Sequence, residues 1–382
     1  MHRHNNSYGI YINFPFCPVK CHFCSFGSRV FNQSSVTRYL EALTGEMSHY
    51  GQVSALKERV ANTVYIGGGT PTLVSQELPL MIKNLRNQFQ LDTFAEISLE
   101  AHPAGIQTED LIPLLRAGFN RISLGIQSFH DSDLAYLNRG HTVQEAYEAF
   151  YHARHAGFKN ISIDLIYGLP GQTISQWKDN IFSAVKLSPE HLSVYGLTLD
   201  DRTYFDYLKK QGKLEETEDE LQAEMYLFAR RELEKEGFIQ YEVSNFAKPG
   251  FESQHNLYYW TQGDFLGLGA MAASFLKGVH SMNEKTVEGY IRKITAFGSA
   301  VEQSERLDLE SQFKEALVFG LRKNTGVKLS ELNPEYFSFI GSSLPKLLAL
   351  CHEGFLKQVQ EEHFILSEKG LLFSDHVSMT LI

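Results

Sequence analysis

Cys17-Pro18-Val19-Lys20-Cys21-His22-Phe23-Cys24 is the stretch around which the rest of the chain is organised. It contains three of the four cysteines, in the spacing C-x₃-C-x₂-C. Three thiols with this spacing converge on one point only if the segment forms a tight loop. A structural zinc ion takes four protein ligands, and the local candidate for the fourth, His22, lies between two cysteines already in use. Three thiolates and a vacancy fit a [4Fe–4S] cluster with one open iron, because Cys thiolates hold such clusters.

The cysteine spacing resembles the signature of the radical S-adenosylmethionine (SAM) proteins. The resemblance implies that the open iron chelates the amino and carboxylate groups of SAM. It also implies that an electron, delivered to the cluster by a donor, cleaves SAM to a 5′-deoxyadenosyl radical. From the residues alone, a zinc clip and a cluster of cytosolic thiols stay open as alternatives, because a motif is a hypothesis until its structural context supports it.

The bulk properties of the chain are those of an acidic globular protein. Its 382 residues predict two to three domains, and 43% hydrophobic with 21% charged residues is an ordinary composition. The formal net charge of −10 argues against nucleic-acid binding, which needs basic surfaces. Residues 1–6 are polar and lack the apolar region of a signal peptide, and no run approaches the ~18 apolar residues of a membrane span. The cysteines do not form a disulfide framework, so we expect a cytoplasmic protein.

The fold class follows from alternating strand-like and helix-like segments. Strands are predicted at 8–15, 63–69, 95–100, 121–127, 161–168 and 191–199, and helices at 35–56, 78–89, 109–117, 132–137, 143–156 and 175–187. Parallel strands need such crossover connections, and the strands read as nearly continuous apolar runs. An open (β/α)₆ barrel and a doubly wound sheet both satisfy this pattern. Polar or glycine-rich clusters follow every strand, which favours a barrel with its site at the C-terminal strand ends. The family resemblance implies the same partial, TIM-like α/β barrel.

Three domains are predicted. Residues 1–200 form the barrel. Residues 201–303 form an α+β extension with a long charged helix at 217–236, followed by residues 239–246, a Pro-Gly turn and a segment to residue 275 that is rich in glycine and aromatic residues. Residues 304–382 combine helices at 313–321 and 344–354, a hairpin at 355–366 and a last helix at 368–375, which resembles a winged-helix-like domain. Because the chain is acidic, we expect this domain to act in packing or as a lid rather than in DNA binding.

A glycine-rich stretch, Gly67-Gly68-Gly69-Thr70-Pro71-Thr72, follows the second predicted strand and opens a helix. Glycines let the backbone approach a ligand closely. A plain turn is the alternative, and a phosphate-binding loop would need a G-K-[ST] ending that is absent. The family resemblance implies that this stretch holds the SAM amino group.

Four polar side chains stand at or just after strand ends: Glu100, Gln127, Arg139 and Asp164. Carboxylates fit ribose hydroxyls, and the Arg donors fit a carboxylate. Each residue alone could equally be a solvated loop residue or a helix cap. Together, the stretches SLEAHP, SLGIQSF, LNRGH and DLIYGLPGQT resemble the coproporphyrinogen dehydrogenase branch of the family, from about residue 8 to residue 275. That resemblance implies SAM contacts from Tyr11, Phe23, Gly68, Gly69, Thr70, Glu100, Gln127, Arg139 and Asp164, with the cluster on Cys17, Cys21 and Cys24.

Two groups within this branch compete. The dehydrogenase, an oxygen-independent coproporphyrinogen III oxidase, typically carries a fourth cysteine, C-x₃-C-x₂-C-x-C, where this chain has Phe26. It also has an N-terminal arm, whereas here about seven residues precede the first predicted strand. Both departures favour the HemW heme chaperones, which implies binding of heme and its delivery to an acceptor hemoprotein, with no catalytic residue assigned. A radical-SAM enzyme with an unrelated substrate is a third possibility.

A heme site is predicted in His255-Asn256-Leu257-Tyr258-Tyr259-Trp260, which resembles the H-N-x-x-Y-W heme-binding motif of these chaperones. Imidazole is a good axial ligand for heme iron, and Tyr259 and Trp260 could stack on a porphyrin face. The alternative is a segment that packs its aromatic rings under the barrel, with His255 hydrogen-bonded. One departure bears on heme handling, because relatives often have a histidine where this chain has Ala273.

Overall fold

The computed structural model describes residues 6–382. Residues 1–5, which belong to the polar stretch that argued against a signal peptide, lie outside the described residues. Within 6–382, no helix is both long and apolar enough to cross a membrane.

The strands of the described residues form one large sheet and two small ones. In chain order they are β1 Ser7–Phe14, β2 Phe16–Cys17, β3 Arg29–Val30, β4 Val60–Gly68, β5 Gln90–Ala101, β6 Arg121–Gln127, β7 Ile161–Tyr167, β8 His191–Gly196, β9 Ile239–Gln240, β10 Asn245–Ala247, β11 Phe265–Leu268, β12 Ala273–Leu276, β13 Val279–Asn283, β14 Val301–Arg306, β15 Val327–Lys328, β16 Leu356–Gln360 and β17 His363–Leu366.

The α-helices connect the strands and cover the outside of the sheet. In chain order they are α1 Gln33–Tyr50, α2 Ser54–Lys57, α3 Leu78–Gln88, α4 Thr108–Ala117, α5 Asp131–Tyr136, α6 Val143–Ala156, α7 Ile174–Lys186, α8 Tyr204–Lys210, α9 Asp219–Lys235, α10 Gln254–Trp260, α11 Val287–Phe297, α12 Leu309–Arg322, α13 Phe337–His352, α14 Glu368–Leu372 and α15 Ser374–Leu381. Short 3₁₀ turns lie at Pro71–Val74, Leu329–Glu331 and Pro334–Tyr336.

The predicted partial (β/α)₆ barrel is confirmed. Strands β1, β4, β5, β6, β7 and β8 lie side by side in chain order, and each neighbouring pair is parallel. The sheet has twelve strands and does not close, because β11 pairs with the free edge of β1 while β10 pairs with that of β8. All six barrel strands therefore direct their C-terminal ends to the same side, where the predicted site residues follow.

The local boundaries follow from ordinary caps. Helices α4 and α6 end at Gly118 and Gly157, both in the left-handed conformation that glycine adopts without steric cost. Helix α6 begins with a capping box, in which Thr142 accepts from the Glu145 amide and the Glu145 carboxylate accepts from Thr142. These are short-range signals, so the predicted helices 109–117 and 143–156 agree closely with the structure.

The expectation of nearly continuous apolar strands was wrong for the inner face of the barrel. In β6 the even-numbered residues Ile122, Leu124 and Ile126 are buried in the core, whereas Arg121, Ser123, Gly125 and Gln127 line the interior cavity. Strands β7 and β8 repeat this alternation, with Asp164, Ser193 and Tyr195 turned inward. Both faces are covered, but the inner face is polar because it borders a cavity rather than a packed core.

The chain after β8 differs from its prediction in two places. Residues 239–247, to which the sequence assigned no element, form a tight hairpin of β9 and β10 around a turn at 241–244. Strands β11 to β14, which extend the sheet beyond β1, had no counterpart in the prediction. Nothing tests the predicted divisions after residues 200 and 303, which stay predictions.

The C-terminal elements pack around a hydrophobic cluster of their own. Helices α12, α13 and α15 surround it, together with the sheet β15-β17-β16. This unit contacts α10 and the turn after it through Tyr336, whose hydroxyl donates to Gln262 Oε1 at 3.1 Å, and through Arg322, whose guanidinium lies 4.8 Å from the Trp260 ring.

Candidate functional site

A cavity of about 540 Å³ opens at the C-terminal ends of the barrel strands. Its wall contains all three cysteines of the first motif and most of the residues predicted to contact SAM. These are Cys17, Cys21, Phe23, Cys24, Gly68, Gly69, Thr70, Glu100, Gln127, Arg139 and Asp164. The tertiary structure therefore brings together residues that are spread over almost 150 positions of the sequence.

The cysteine loop is anchored on both sides by backbone hydrogen bonds. The Phe31 amide donates to the Cys17 carbonyl at 2.9 Å, and the Cys24 amide donates to the Cys21 carbonyl at 3.3 Å. Burial raises the pKa of the Cys24 thiol; the Lys20 ammonium opposes this shift, and the nearby Cys21 and Cys17 add to it. All three cysteines line the same cavity.

Within residues 6–382, no three His, Cys, Asp or Glu side chains are placed to hold a single metal ion. In a cubic cluster, each thiolate binds a different iron, so the sulfurs stand farther apart than around one zinc ion. Phe26, at the position of the fourth cysteine of the dehydrogenase motif, also lines the cavity and is 56% exposed.

The glycine-rich stretch needs its glycines for two separate reasons. Gly68 has φ +100°, a conformation that side chains disfavour, and its amide donates to Glu100 Oε2 at 2.9 Å. Gly67 has no room for a side chain, because a Cβ there would lie 2.6 Å from the Glu100 carboxyl carbon. The backbone of this stretch therefore borders the cavity and positions a carboxylate directly.

Glu100 is a half-buried carboxylate held by two donors. Besides the Gly68 amide, the Tyr65 hydroxyl donates to Oε1 at 2.9 Å. Burial raises the Glu100 pKa to about 7, the Gly68 amide opposes this shift, and nearby Asp164 adds to it. Asp164 accepts from the Ser123 hydroxyl at 3.0 Å, and its own pKa is raised, chiefly by burial.

The raised pKa of Glu100 predicts a pH-dependent stability. In the unfolded chain the carboxyl titrates near its usual 4.5 and in the folded chain near 7, so between these values the folded chain binds more protons. The free energy of unfolding is therefore expected to fall as the pH rises through this window. The free energy of unfolding, measured with urea at several pH values in this window, should fall less steeply with pH for Glu100→Gln than for the wild type. Burial also raises the pKa of Glu46 to about 7, so Glu46 should still contribute to the pH dependence in the variant. If the pH dependence of the unfolding free energy is the same in Glu100→Gln and the wild type, the raised pKa of Glu100 is contradicted.

Arg139 and Gln127 complete the rim of the cavity. Arg139 Nη1 lies 3.4 Å from Cys21 Sγ, Nη2 donates to the Gly125 carbonyl, and Nε is buried without a partner among the described residues. Gln127 ends β6 with φ +72°, a conformation that costs free energy in a non-glycine residue and is common at binding sites. Both residues thus carry features typical of ligand contact.

Tyr11 is the one predicted SAM residue that the cavity wall does not include. Its ring stacks on Tyr65 at a centroid distance of 6.2 Å, and its hydroxyl donates to Asn13 Oδ1 at 3.1 Å. It supports the layer that holds Glu100 rather than bordering the cavity itself.

The HNLYYW segment forms helix α10, which packs under the barrel. The Gln254 and His255 amides donate to the Glu96 carboxylate at 3.0 and 3.1 Å. Trp260 packs against Phe319 of α12. Of the segment, Asn256 reaches the cavity wall, whereas His255, Tyr259 and Trp260 do not.

His255 is enclosed and fully hydrogen-bonded. Its side chain is 1% exposed, Nδ1 pairs with Thr63 Oγ1 at 2.8 Å, and Nε2 pairs with the Tyr259 hydroxyl at 2.9 Å. Burial, with the Arg121 charge, lowers its pKa to about 3, so the ring is neutral. Iron at either nitrogen would have to displace one of these partners. Heme ligation by His255 stays a prediction, and the observed contacts are those of the structural alternative.

Several cavity residues were not predicted from the sequence: Tyr65, Arg121, Ser123, Ser193 and Tyr195. The signal that could have found most of them is the period-two alternation of β4, β6 and β8, which places polar residues on one face of strands with an apolar opposite face. His102 is buried, its Nδ1 accepts from the Ala104 amide at 3.2 Å, and burial lowers its pKa to about 2.

The sequence model of the radical SAM superfamily matches residues 11–183 of this chain. Heme chaperone HemW of Bacillus subtilis is 35% identical over 369 residues, which cover 96% of this chain and 97% of that protein. The chain is also 30% identical to radical S-adenosyl methionine domain-containing protein 1, mitochondrial, of Bos taurus. The aligned region covers 96% of this chain and 82% of that protein.

Among solved structures, coproporphyrinogen III oxidase (HemN) from Escherichia coli, described as a radical SAM enzyme, has a similar fold. Its TM-score is 0.85 and its sequence identity 26%, and the match covers 98% of this chain and 90% of that one. The likeness thus extends through the barrel, the added strands β11 to β14 and the C-terminal unit.

Proposed function

Because the chain belongs to the radical SAM superfamily and, within it, to the HemW family of heme chaperones, we propose that it binds heme and delivers it to an acceptor hemoprotein. The observation that carries this proposal is the 35% identity to the Bacillus subtilis chaperone over nearly the full length of both chains. A reducing compartment such as the cytoplasm fits the three unpaired cysteines of the first motif.

A [4Fe–4S] cluster with bound SAM is the resident cofactor that the family implies, and the donor set fits it. Cys17, Cys21 and Cys24 would hold three irons of the cluster. When bound, such a cluster supplies the single electron for cleaving the SAM sulfonium. The proposal draws support from the shared cavity of the three thiols and the glycine-rich stretch.

The residues around the cluster would orient SAM. The buried, unpaired Nε of Arg139 is a donor that fits a carboxylate oxygen. The backbone of Gly68 and Gly69 allows close approach, and Glu100 and Asp164 offer acceptors for hydroxyl or amino groups. Contacts to SAM are proposed for Phe23, Thr70 and Gln127 as well, whereas Tyr11, which does not border the cavity, would act by supporting Tyr65.

Oxygen-independent coproporphyrinogen III oxidation is the second candidate, because the E. coli enzyme matches the whole fold with a TM-score of 0.85. The sequence feature that speaks against it is Phe26, which replaces the fourth cysteine of that enzyme class. Phe26 lines the cavity, so an apolar ring stands there in place of a thiol.

An anaerobic assay separates these two functions. The protein with its cluster reconstituted is incubated with coproporphyrinogen III, SAM and a reductant. The chaperone proposal predicts no protoporphyrinogen IX, and turnover above that of a cluster-free control would refute it.

Heme binding tests the proposal directly. Titration of the reconstituted protein with hemin should shift the Soret band and saturate near one heme per chain, and an apo-hemoprotein added afterwards should gain the heme. SAM cleavage without any heme affinity would instead favour an enzyme with an unrelated substrate.

A further inference from the structure

His22, within the cysteine loop, is held in one orientation by its surroundings. Its backbone amide donates to the Leu137 carbonyl at 3.0 Å, and its carbonyl accepts from the Phe205 amide at 3.1 Å. The ring nitrogen Nδ1 lies 2.9 Å from the Tyr136 carbonyl. Because a carbonyl only accepts, Nδ1 must carry the hydrogen, which leaves the lone pair of a neutral imidazole on Nε2.

This arrangement is that of a histidine prepared to bind a metal. Ligating histidines commonly donate their second nitrogen to a backbone carbonyl, which fixes the tautomer and the ring orientation. Nε2 of His22 has no hydrogen-bond partner among the described residues, and it is not among their buried unpaired atoms. It is therefore both free and accessible, in contrast to both nitrogens of His255.

An aromatic surface surrounds His22 on the outer side of the cysteine loop. The ring centroids of His22 and Tyr204 are 4.4 Å apart, and Tyr207 stacks on Tyr204 at 6.2 Å with an interplanar angle of 27°. Tyr204 is 48% exposed and Tyr207 54% exposed. Flat exposed rings of this kind offer a face to a planar aromatic ligand.

Cations and carboxylates both flank α8 in the sequence, since Asp200 and Asp201 are exposed beside Arg202. Arg202 precedes α8 and Lys213 follows it, both are exposed, and neither forms an ion pair within residues 6–382. By contrast, Lys209 pairs with Glu216, and Lys210 pairs with Asp206. The two unpaired cations could receive the two propionates of a heme.

We propose that His22 Nε2 is an axial ligand of the heme iron, with the porphyrin against Tyr204 and Tyr207 on the outer face of the cysteine loop. This inference rests on the proposed heme binding and names its site. Heme at this position would lie outside the barrel cavity, which leaves the cavity to the cluster and SAM, and it would be accessible to an acceptor protein.

The test is a hemin titration of the cluster-reconstituted protein, followed by magnetic circular dichroism of the ferric heme. His22→Asn keeps a side-chain donor near the Tyr136 carbonyl but removes Nε2. We expect it to lose the imidazole-ligation signature and to bind hemin roughly tenfold more weakly or worse, since disturbing even the groups that orient a metal ligand costs this much.

The matched control is His152→Asn. His152 is half-buried, and its Nδ1 also has a partner, Thr108 Oγ1 at 2.9 Å, but it lies on α6 away from α8. It should leave hemin affinity and spectrum unchanged. If His22→Asn keeps the affinity and imidazole signature of the wild type, the inference is overturned while heme binding stands. If the wild type binds no hemin, the proposed function fails as well.

A second variant tests the site without changing the cysteine loop. Should His22→Asn fail to take up the cluster, the double variant Tyr204→Ala, Tyr207→Ala leaves the loop residues in place and removes the aromatic surface. Weakened hemin binding with normal cluster absorption would support the site, and unchanged binding would overturn it.

Discussion

Replacing Cys21 by serine is expected to abolish the iron–sulfur cluster. Cys21 is the middle ligand of the C-x₃-C-x₂-C motif, lies on the cavity wall and is contacted by Arg139 Nη1 at 3.4 Å. With two thiolates left, a cubic cluster would lack protein ligands on two of its irons, and such clusters depend on Cys thiolates. Iron content after anaerobic reconstitution should fall from about four atoms per chain to near zero, and the charge-transfer absorption should disappear.

The chain contains its own control for this experiment. Cys351 is a free cysteine in α13, far along the chain from the motif and outside the cavity wall. Cys351→Ser should keep the iron content and absorption of the wild type. Cluster uptake by Cys21→Ser at the wild-type level would mean that the cofactor assignment is wrong, and with it the roles proposed for the glycine-rich stretch and Arg139.

Replacing Gly69 by alanine is expected to produce the second large effect. The Gly69 amide donates to the Phe14 carbonyl at 2.8 Å, and a Cβ on Gly69 would collide with the carbonyl oxygens of Phe14 and Phe16. These are backbone atoms at the end of β1 and the start of β2, so they cannot rotate away as a side chain would. The overpacking should cost roughly 1–3 kcal/mol of stability, measured by chemical denaturation.

The same substitution should also weaken SAM binding. A shift of the Gly69 backbone moves Gly68, whose amide holds Glu100. Calorimetric titration of the reconstituted protein with SAM is expected to give at least about a tenfold lower affinity, corresponding to roughly 1.4 kcal/mol. Gly341→Ala in α13 is the control, because no atom lies within 4 Å of its Cβ position. If Gly69→Ala behaves like Gly341→Ala in both measurements, the stretch has no such role.

Comparison of His22 with His255 illustrates why motif and site can differ. The His255 segment carries the motif associated with heme, yet both ring nitrogens are already bonded beneath the barrel. His22, considered from the sequence only as a fourth zinc ligand, has the free nitrogen and the aromatic neighbours. Residue type and spacing indicate what a side chain can bind, whereas its contacts decide whether it is available.

The sequence by itself determined the features that depend on neighbours along the chain. The cysteine spacing, the glycines after β4 and the caps at Thr142 and Gly157 are local, and strict alternation of strands and helices leaves few arrangements other than a parallel barrel. These features predicted the cluster ligands and the fold class, and with the family resemblance they predicted eleven of the residues that line the cavity.

Only the tertiary structure decided which distant residues meet. His255 bonds Thr63, 192 positions away, and the Tyr136 carbonyl fixes the ring of His22 from 114 positions away. Strands β11 to β14 return to the edge of β1, and this pairing also joins segments far apart in sequence. Hydrophobic periodicity reports the face that a segment buries but not the partner that covers it, so the availability of each histidine could be read only from the folded chain.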